Sequence, residues 1–410
     1  MPATSHPTQN SHLKLGYITP VRAYCYEDKI YMQAASGRVA DELASRYETT
    51  YICARVVFDC PPASTDMPLQ SSNIELVAQP YWRTSAGSLP HFYGIARAYL
   101  QTCRRADVLF VRGMCPYIAV LYFCALLFRR PICHWIVGNP VVLLQTSTRK
   151  GKFADARALL YALQDRMFSR LGRWVTNGSF LCNGEELARA YQSSRTTSAV
   201  SSTIQEWEFA TRTDTCQREK LRILFVDYIR PEKGIEYLLE AVSKLHARVS
   251  WELEIVGPDQ FPEYRRSLDE LVETLGIRDR VQWKGYLSYG PPLFDRMRAA
   301  YIFVLPTLSE GTPHVLVEAR AHGLPCISTT VGGVPSTVTH GYDALLVPPK
   351  NSGALSRAIA QLIYDDKLRQ RLIQNGFKAA REQTLGRFVS MVHRELAPRM
   401  KRVNAAVPQE

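Results

Sequence analysis

The sequence predicts an α/β chain of two domains, each a parallel β-sheet covered by helices on both faces. Three observations lead there. Apolar runs bounded by turn residues alternate with amphipathic segments along the whole chain, which is the pattern of strands buried on both faces between crossover helices. The strand candidates fall into two sets, separated by the weakly patterned, threonine-rich stretch Glu206–Lys220. Finally, 410 residues with 46% hydrophobic content suffice for two cores of ordinary size.

In chain order, the first set of strand candidates is Leu13–Thr19, Thr50–Phe58, Ile74–Ala78, Val108–Arg112, Ile132–Val137 and Ser179–Asn183. The second is Arg222–Asp227, Glu252–Gly257, Val281–Gly285, Tyr301–Pro306, Cys326–Thr330 and Leu345–Pro348. Two such sets imply two Rossmann-like, doubly wound domains. The expected boundaries are a disordered N-terminus at 1–11, a first domain at 12–205, a linker at 206–220 and a second domain at 221–383. The amphipathic segments Lys367–Gln383 and Arg387–Met400 close the chain, with Asp365-Asp366 read as a helix cap. No internal repeat or low-complexity tract interrupts this order.

Composition narrows the classes of function. The polar stretch Met1–Ser11 lacks the apolar segment of a signal peptide. The longest uncharged apolar run, Gly113–Phe128, falls short of the roughly 20 residues that span a bilayer and contains Pro116, so it reads as a sheet-covering helix, with membrane contact as its alternative. Ten cysteines without close pairing suggest a reducing compartment, the cytoplasm, and no zinc site. The net charge of +12 is uneven: residues 1–205 hold 22 Lys+Arg against 13 Asp+Glu. That surplus suits an anionic partner for the first half, either a phosphorylated or lipid-linked acceptor or the inner face of a membrane; a solvated basic face is the plainer reading. No nucleic-acid motif accompanies the charge.

In open α/β sheets, ligands gather at the C-terminal ends of the strands, so residues just past each strand carry the functional reading. Glu310 and Glu318 are eight residues apart across a strand-to-helix junction, with Thr312-Pro313 as N-cap and first-turn proline and Glu318 two turns into the helix. Each ionised carboxylate accepts two or more hydrogen bonds, so the pair suits a ligand rich in hydroxyls. Lys233, beside Gly234 and opening the helix Ile235–Ala241, offers phosphate a point charge at a helix N-terminus. Gly257 follows the second strand of this half. In the first half, Thr19 and Arg22 follow the first strand, Arg112 ends the fourth, and His134 sits near the end of the fifth. No Asp-x-Asp metal motif, Ser/His/Asp nucleophile or first-strand Gly-x-Gly-x-x-Gly fingerprint is found. No metal or cofactor is expected.

Several spaced motifs bear a family resemblance: FVDYIRPEKG at 225–234, EIVG at 254–257, RVQWKGYL at 280–287, the acid pair with Ala319, and GLPCISTTVGGVP at 323–335. In this order they resemble the retaining glycosyltransferases of family 4, from about Leu221 to Phe388 and more faintly back to Leu13. The resemblance implies the GT-B fold, two Rossmann-like domains with an interdomain cleft, and a C-terminal helix at 384–403 crossing back to the first domain. It implies a nucleotide-sugar donor, an acceptor hydroxyl and retention of anomeric configuration, in cell-surface glycan, glycolipid or natural-product glycoside synthesis. Glu318 would hold the ribose, and Glu310 with Gly311, Thr312 and His314 the donor sugar. Lys233 and Arg230 would hold the diphosphate, while His134 would reach the transferred sugar. Thr19, Arg22 and Arg112 are acceptor-side candidates from their positions past the strands, not from the resemblance.

The sequence departs from the family at three places. The usual Gly-Arg pair is Asp227-Tyr228, so Arg230 must substitute for the arginine; Pro313 lacks the N–H that a second loop glycine would offer; and the first loop lacks a Gly-Gly pair. A GT-B epimerase or phosphorylase, and a catalytically silent sugar- or membrane-binding protein, are the alternatives.

Overall fold

The computed structural model describes residues 11–82, 86–138, 152–216, 220–246 and 249–404. The chain divides into two units, Met1–Ala199 with Gly386–Glu410, and Val200–Leu385.

Among its described residues the first unit has ten strands: β1 (Ser11–Ile18), β2 (Ala23–Tyr26), β3 (Lys29–Gln33), β4 (Tyr47–Phe58), β5 (Asp66–Pro68), β6 (Ile74–Gln79), β7 (Val108–Arg112), β8 (Ile132–Ile136), β9 (Ser179–Asn183) and β10 (Thr196–Ala199). The parallel order β10-β9-β8-β7-β1-β4-β6 puts the reversal of chain order between β1 and β7. Here Tyr17 stacks on Phe110 and Phe110 on Trp135, with ring centroids 5.6 and 5.8 Å apart. The long strand β4 continues past β6 and pairs through Val56–Phe58 with β2, which forms a hairpin with β3; β3 in turn pairs antiparallel with β5. The hairpin strands β2 and β3 were not expected, nor were β5 and β10.

The second unit has six strands among its described residues: β11 (Leu221–Val226), β12 (Trp251–Val256), β13 (Val281–Gly285), β14 (Ile302–Leu305), β15 (Cys326–Thr329) and β16 (Leu345–Val347). All pairings are parallel, in the order β13-β12-β11-β14-β15-β16. Every residue of β12 is buried, including Glu252 and Glu254. These acids are tolerated because Arg222 reaches both, at 2.7 and 3.4 Å, and Lys220 reaches Glu252 at 2.9 Å.

The expected boundary at 205 and linker at 206–220 require correction. Residues 200–216 and Lys220 belong to the second unit because their polar groups are spent on it. Arg212 donates to the carbonyls of Met297 (3.2 Å) and Ala300 (2.7 Å), and Asp214 takes a two-point ion pair from Arg369 at 2.6 and 3.1 Å. The closing helix Leu385–Asn404 lies with the first unit from Gly386 onward: Phe388 packs on Trp135, and Thr197 donates to Glu395 at 2.9 Å. The expected disordered N-terminus lies outside the described residues except for Ser11, which is already in β1. Among the described residues no helix is long and apolar enough to cross a membrane.

Candidate functional site

The second unit's sheet reverses its chain order between β11 and β14, and this topological switch is where open α/β sheets leave a crevice. The chain leaving β11 carries Asp227, Arg230 and Lys233, while the chain leaving β14 carries Thr307 and Glu310. Lys233, 5% exposed, sits between two carboxylates, with Nζ 2.7 Å from Asp227 and 2.5 Å from Glu310. Burial works against its charge, but the two acids outweigh it and hold the ammonium well above its ordinary range. Glu310 is pushed up by burial and by Asp227, against the pull of Lys233 and a Thr307 hydroxyl within 3.3 Å.

Arg230 lies over the Tyr228 ring at 5.0 Å, and its Nε is buried without a hydrogen-bond partner among the described residues. Gly257 acts through its backbone: at φ 152° a Cβ there would fall 1.7 Å from the Asp227 carbonyl oxygen, so glycine lets the ends of β11 and β12 meet.

Glu318 lies on the helix His314–Ala321, little more than one turn from its start, because Pro313 and not Thr312 occupies the N-cap position. Its carboxylate accepts from the Thr203 hydroxyl at 2.6 Å and is 5% exposed. Ser201 lies 2.9 Å from His314 Nε2 and 3.4 Å from the Thr312 hydroxyl, so the segment before β11 lines the start of this helix. Gly311 joins the two acids' segments, and the Gly333 N–H donates to the Glu310 carbonyl at 3.2 Å. Lys233, Asp227, Glu310 and Thr307 therefore form one cluster, with Glu318, Thr203, His314 and Ser201 forming a second along the following helix.

In the first unit, His134 is a core residue and the expected role at a transferred sugar is corrected. It is fully buried, with Nδ1 3.0 Å from the Tyr122 hydroxyl and Nε2 2.8 Å from the Gly113 carbonyl. Burial, only partly opposed by that carbonyl, pulls its pKa down to about 4. Thr19 is also buried, receiving the Val21 N–H at 3.2 Å, and serves the turn after β1. Asn183 accepts from the Trp135 indole at 2.7 Å, and Gly184 occupies the N-cap position of the helix Glu185–Ala190. Arg112 stacks over Trp135 at 4.9 Å and donates to the Ser36 hydroxyl at 2.5 Å.

Arg22 is exposed and lines a cleft of about 600 Å3 together with Gln33, Arg55, Thr65, Asp66 and Tyr81. Arg55 is fixed there by donating to the carbonyls of Pro20 (3.2 and 2.5 Å) and Trp82 (3.0 Å). Two arginines thus line the same cleft as Asp66, whose carboxyl burial pushes up against the opposing pull of Arg22.

Asp227, Thr203, Ser201 and Arg55 were not foreseen as site residues. Asp227 was legible as an acid closing a strand six residues before Lys233. Nothing local marks Thr203 or Ser201, whose partners lie more than 110 residues away.

Residues 211–379 match the family model described as glycosyl transferases group 1. The D-inositol 3-phosphate glycosyltransferase of Corynebacterium glutamicum is 33% identical over 168 residues, covering 39% of this chain and 39% of that protein. The N-acetyl-alpha-D-glucosaminyl L-malate synthase of Bacillus anthracis is 28% identical over 167 residues, 41% and 42% of the two chains. The chain thus spans about two-fifths of the length of the curated relatives it matches. Solved structures resemble it over almost its whole length. Sucrose-phosphate synthase from Thermosynechococcus elongatus aligns with a TM-score of 0.69 at 17% identity, covering 96% of this chain and all of that one. WaaG, a glycosyltransferase involved in lipopolysaccharide biosynthesis, aligns at 0.63 and 16%, covering 93% and 99%. Anabaena HepE, in complex with UDP, aligns at 0.67 and 16%, covering 94% and 100%. The fold is GT-B, two parallel-sheet α/β domains.

Proposed function

We propose that this chain is a glycosyltransferase that moves a sugar from a nucleotide-activated donor to an acceptor hydroxyl, with the second unit binding the donor. The observation that carries this reading is the cluster Asp227–Lys233–Glu310 at the β11/β14 switch point, inside the stretch that matches glycosyl transferases group 1.

In this reading the diphosphate takes over the Lys233 ammonium, and the unpartnered Arg230 Nε supplies a second donor. Both stabilise charge that grows on the leaving group, which is electrostatic catalysis. Glu310 is suited to the donor sugar, since its carboxylate oxygens can accept hydrogen bonds from sugar hydroxyls. Glu318 takes the ribose hydroxyls in place of Thr203. The acceptor hydroxyl enters on the face of the leaving group, whose phosphate oxygen takes its proton, so configuration is retained without a protein nucleophile or a metal. The cleft with Arg22 and Arg55 is the acceptor-side candidate. A uridine nucleotide is the first donor to try, because HepE, similar in fold, is seen in complex with UDP and with UDP-glucose.

The test is release of nucleoside diphosphate from nucleotide sugars, with and without acceptors, in the presence of EDTA. Acceptor-dependent release that survives chelation, and an α-linked product from an α-linked donor by proton NMR, are expected. A β-linked product contradicts retention, chelation-sensitive release contradicts metal independence, and nucleotide release without any acceptor points to an epimerase.

A further inference from the structure

Three neighbouring helices of the first unit carry apolar residues on their outer surface. Helix Ile118–Leu127 (IAVLYFCALL) packs against both Phe92–Arg105 and Lys152–Val175. A helix that is apolar all round belongs in an interior, yet Phe123, Leu126 and Leu127 are exposed. Helix Lys152–Val175 is turned inside out. Leu160, Leu163, Met167, Leu171 and Trp174 recur every three or four residues and are 66, 50, 56, 53 and 73% exposed. Its buried side holds Asp165 and Ser169, and Gly172 is packed so closely that a Cβ would meet the Tyr122 ring at 2.2 Å. Helix Phe92–Arg105 adds the exposed Phe92, Tyr93 and Leu100.

A water-facing helix buries its leucines and exposes its polar residues. Small and polar residues between helices, with apolar ones outside, is the packing found where the surroundings are lipid. The charge agrees. These three helices carry eight Lys and Arg against two Asp, and Arg97, Arg104 and Arg170 are exposed.

We propose that this face docks on an anionic lipid bilayer, with its leucines and aromatic rings in the boundary between headgroups and acyl chains and its arginines on lipid phosphates. Among the described residues no helix can cross the bilayer, so the contact lies in the plane of the interface. Tyr93 and Trp174 are the ring types enriched at that depth. A second copy of the chain docked through the same face would set the arginines against one another, so charge favours lipid. The inference rests on the first unit alone and is independent of the transfer reaction.

The test is co-sedimentation of the full chain with phosphatidylcholine vesicles, with and without phosphatidylglycerol, at low and high salt. Binding should require the anionic lipid and weaken with salt. The double variant Leu163→Glu/Leu171→Glu should lose about tenfold or more of its binding while melting no lower than wild type. Arg97→Glu/Arg104→Glu should lose the preference for anionic lipid. Trp174→Phe should still bind but lose part of the vesicle-induced blue shift in fluorescence. Absence of binding to anionic vesicles, or equal binding by the Leu163→Glu/Leu171→Glu variant, overturns the proposal. So does a concentration-dependent dimer that this variant dissociates, if vesicles are not bound; the face then belongs to a second copy.

Discussion

Replacing Lys233 by methionine removes an ammonium from between two carboxylates while keeping most of the stem's volume. Nζ lies 2.5 Å from Glu310 and 2.7 Å from Asp227, and the side chain is almost entirely buried. Stranding a buried charge by removing its partner costs about 3–5 kcal/mol, and here two are stranded together. The cost should depend on pH, because a proton can replace the ammonium. Glu310 is already above its usual range, through burial first and then through Asp227 against Lys233, and losing Lys233 raises it further. The folded variant then binds a proton that the unfolded chain, with a glutamate pKa of about 4.3, has released. Its stability is therefore favoured at low pH and declines with rising pH by up to about 1.4 kcal/mol per unit until the folded-state pKa is passed. Urea-unfolding midpoints of wild type and variant, compared at mildly acidic and mildly alkaline pH, should show a gap that is wide in alkali and narrower in acid. Turnover should also fall by on the order of 10²-fold, the loss expected when a charge-stabilising donor is removed. A gap that does not change with pH, or normal turnover, would refute the reasoning.

Three further outcomes are expected. Asp227→Asn removes one of the two acids competing for Lys233, so a nucleoside diphosphate should bind about tenfold more tightly, some 1.4 kcal/mol by calorimetry; weaker binding contradicts the assignment of Lys233 to phosphate. Glu318→Ala should weaken nucleotide binding through the loss of charge-assisted hydrogen bonds, roughly 1.5–3 kcal/mol each, and unchanged affinity removes the ribose assignment. Asp214→Ala leaves Arg369 buried without that carboxylate and should lower stability by about 3–5 kcal/mol with nucleotide affinity unaltered. Burial opposes the ionisation of Asp214, but Arg369 and Gln370 outweigh it and hold the carboxyl below its usual range. Its contribution is thus present above the unfolded pKa of about 3.9 and is lost as acid carries the pH down through the folded value.

Most strands of both sheets were legible because a strand covered on both faces tends to be a continuous apolar run, as in residues 108–111 and Ile302–Leu305. The β2–β3 hairpin was not. Its turn is Glu27-Asp28, both at positive φ (48° and 56°), where Asn-Gly would have advertised the same geometry. Lys233, Glu310 and Glu318 could be picked out because each lies beside a strand end or a helix start. Their electrostatics could not, since the partners Asp227 and Thr203 are chosen by tertiary packing. His134 shows the converse: its position near a strand end says nothing about whether a hydroxyl and a carbonyl already satisfy both ring nitrogens. The exposed apolar side of Lys152–Val175 was not foreseen, since the period of a helix does not tell which of its sides meets its neighbours.

The central claim, that the β11/β14 switch point is a nucleoside diphosphate site, is tested most directly by calorimetric titration of the full chain with UDP, GDP and ADP alongside the matching monophosphates. The account predicts that at least one diphosphate binds, with its monophosphate about tenfold weaker or more because the second phosphate is what reaches Lys233 and Arg230. Equal affinity for mono- and diphosphate, or no binding of any of the three, would contradict it.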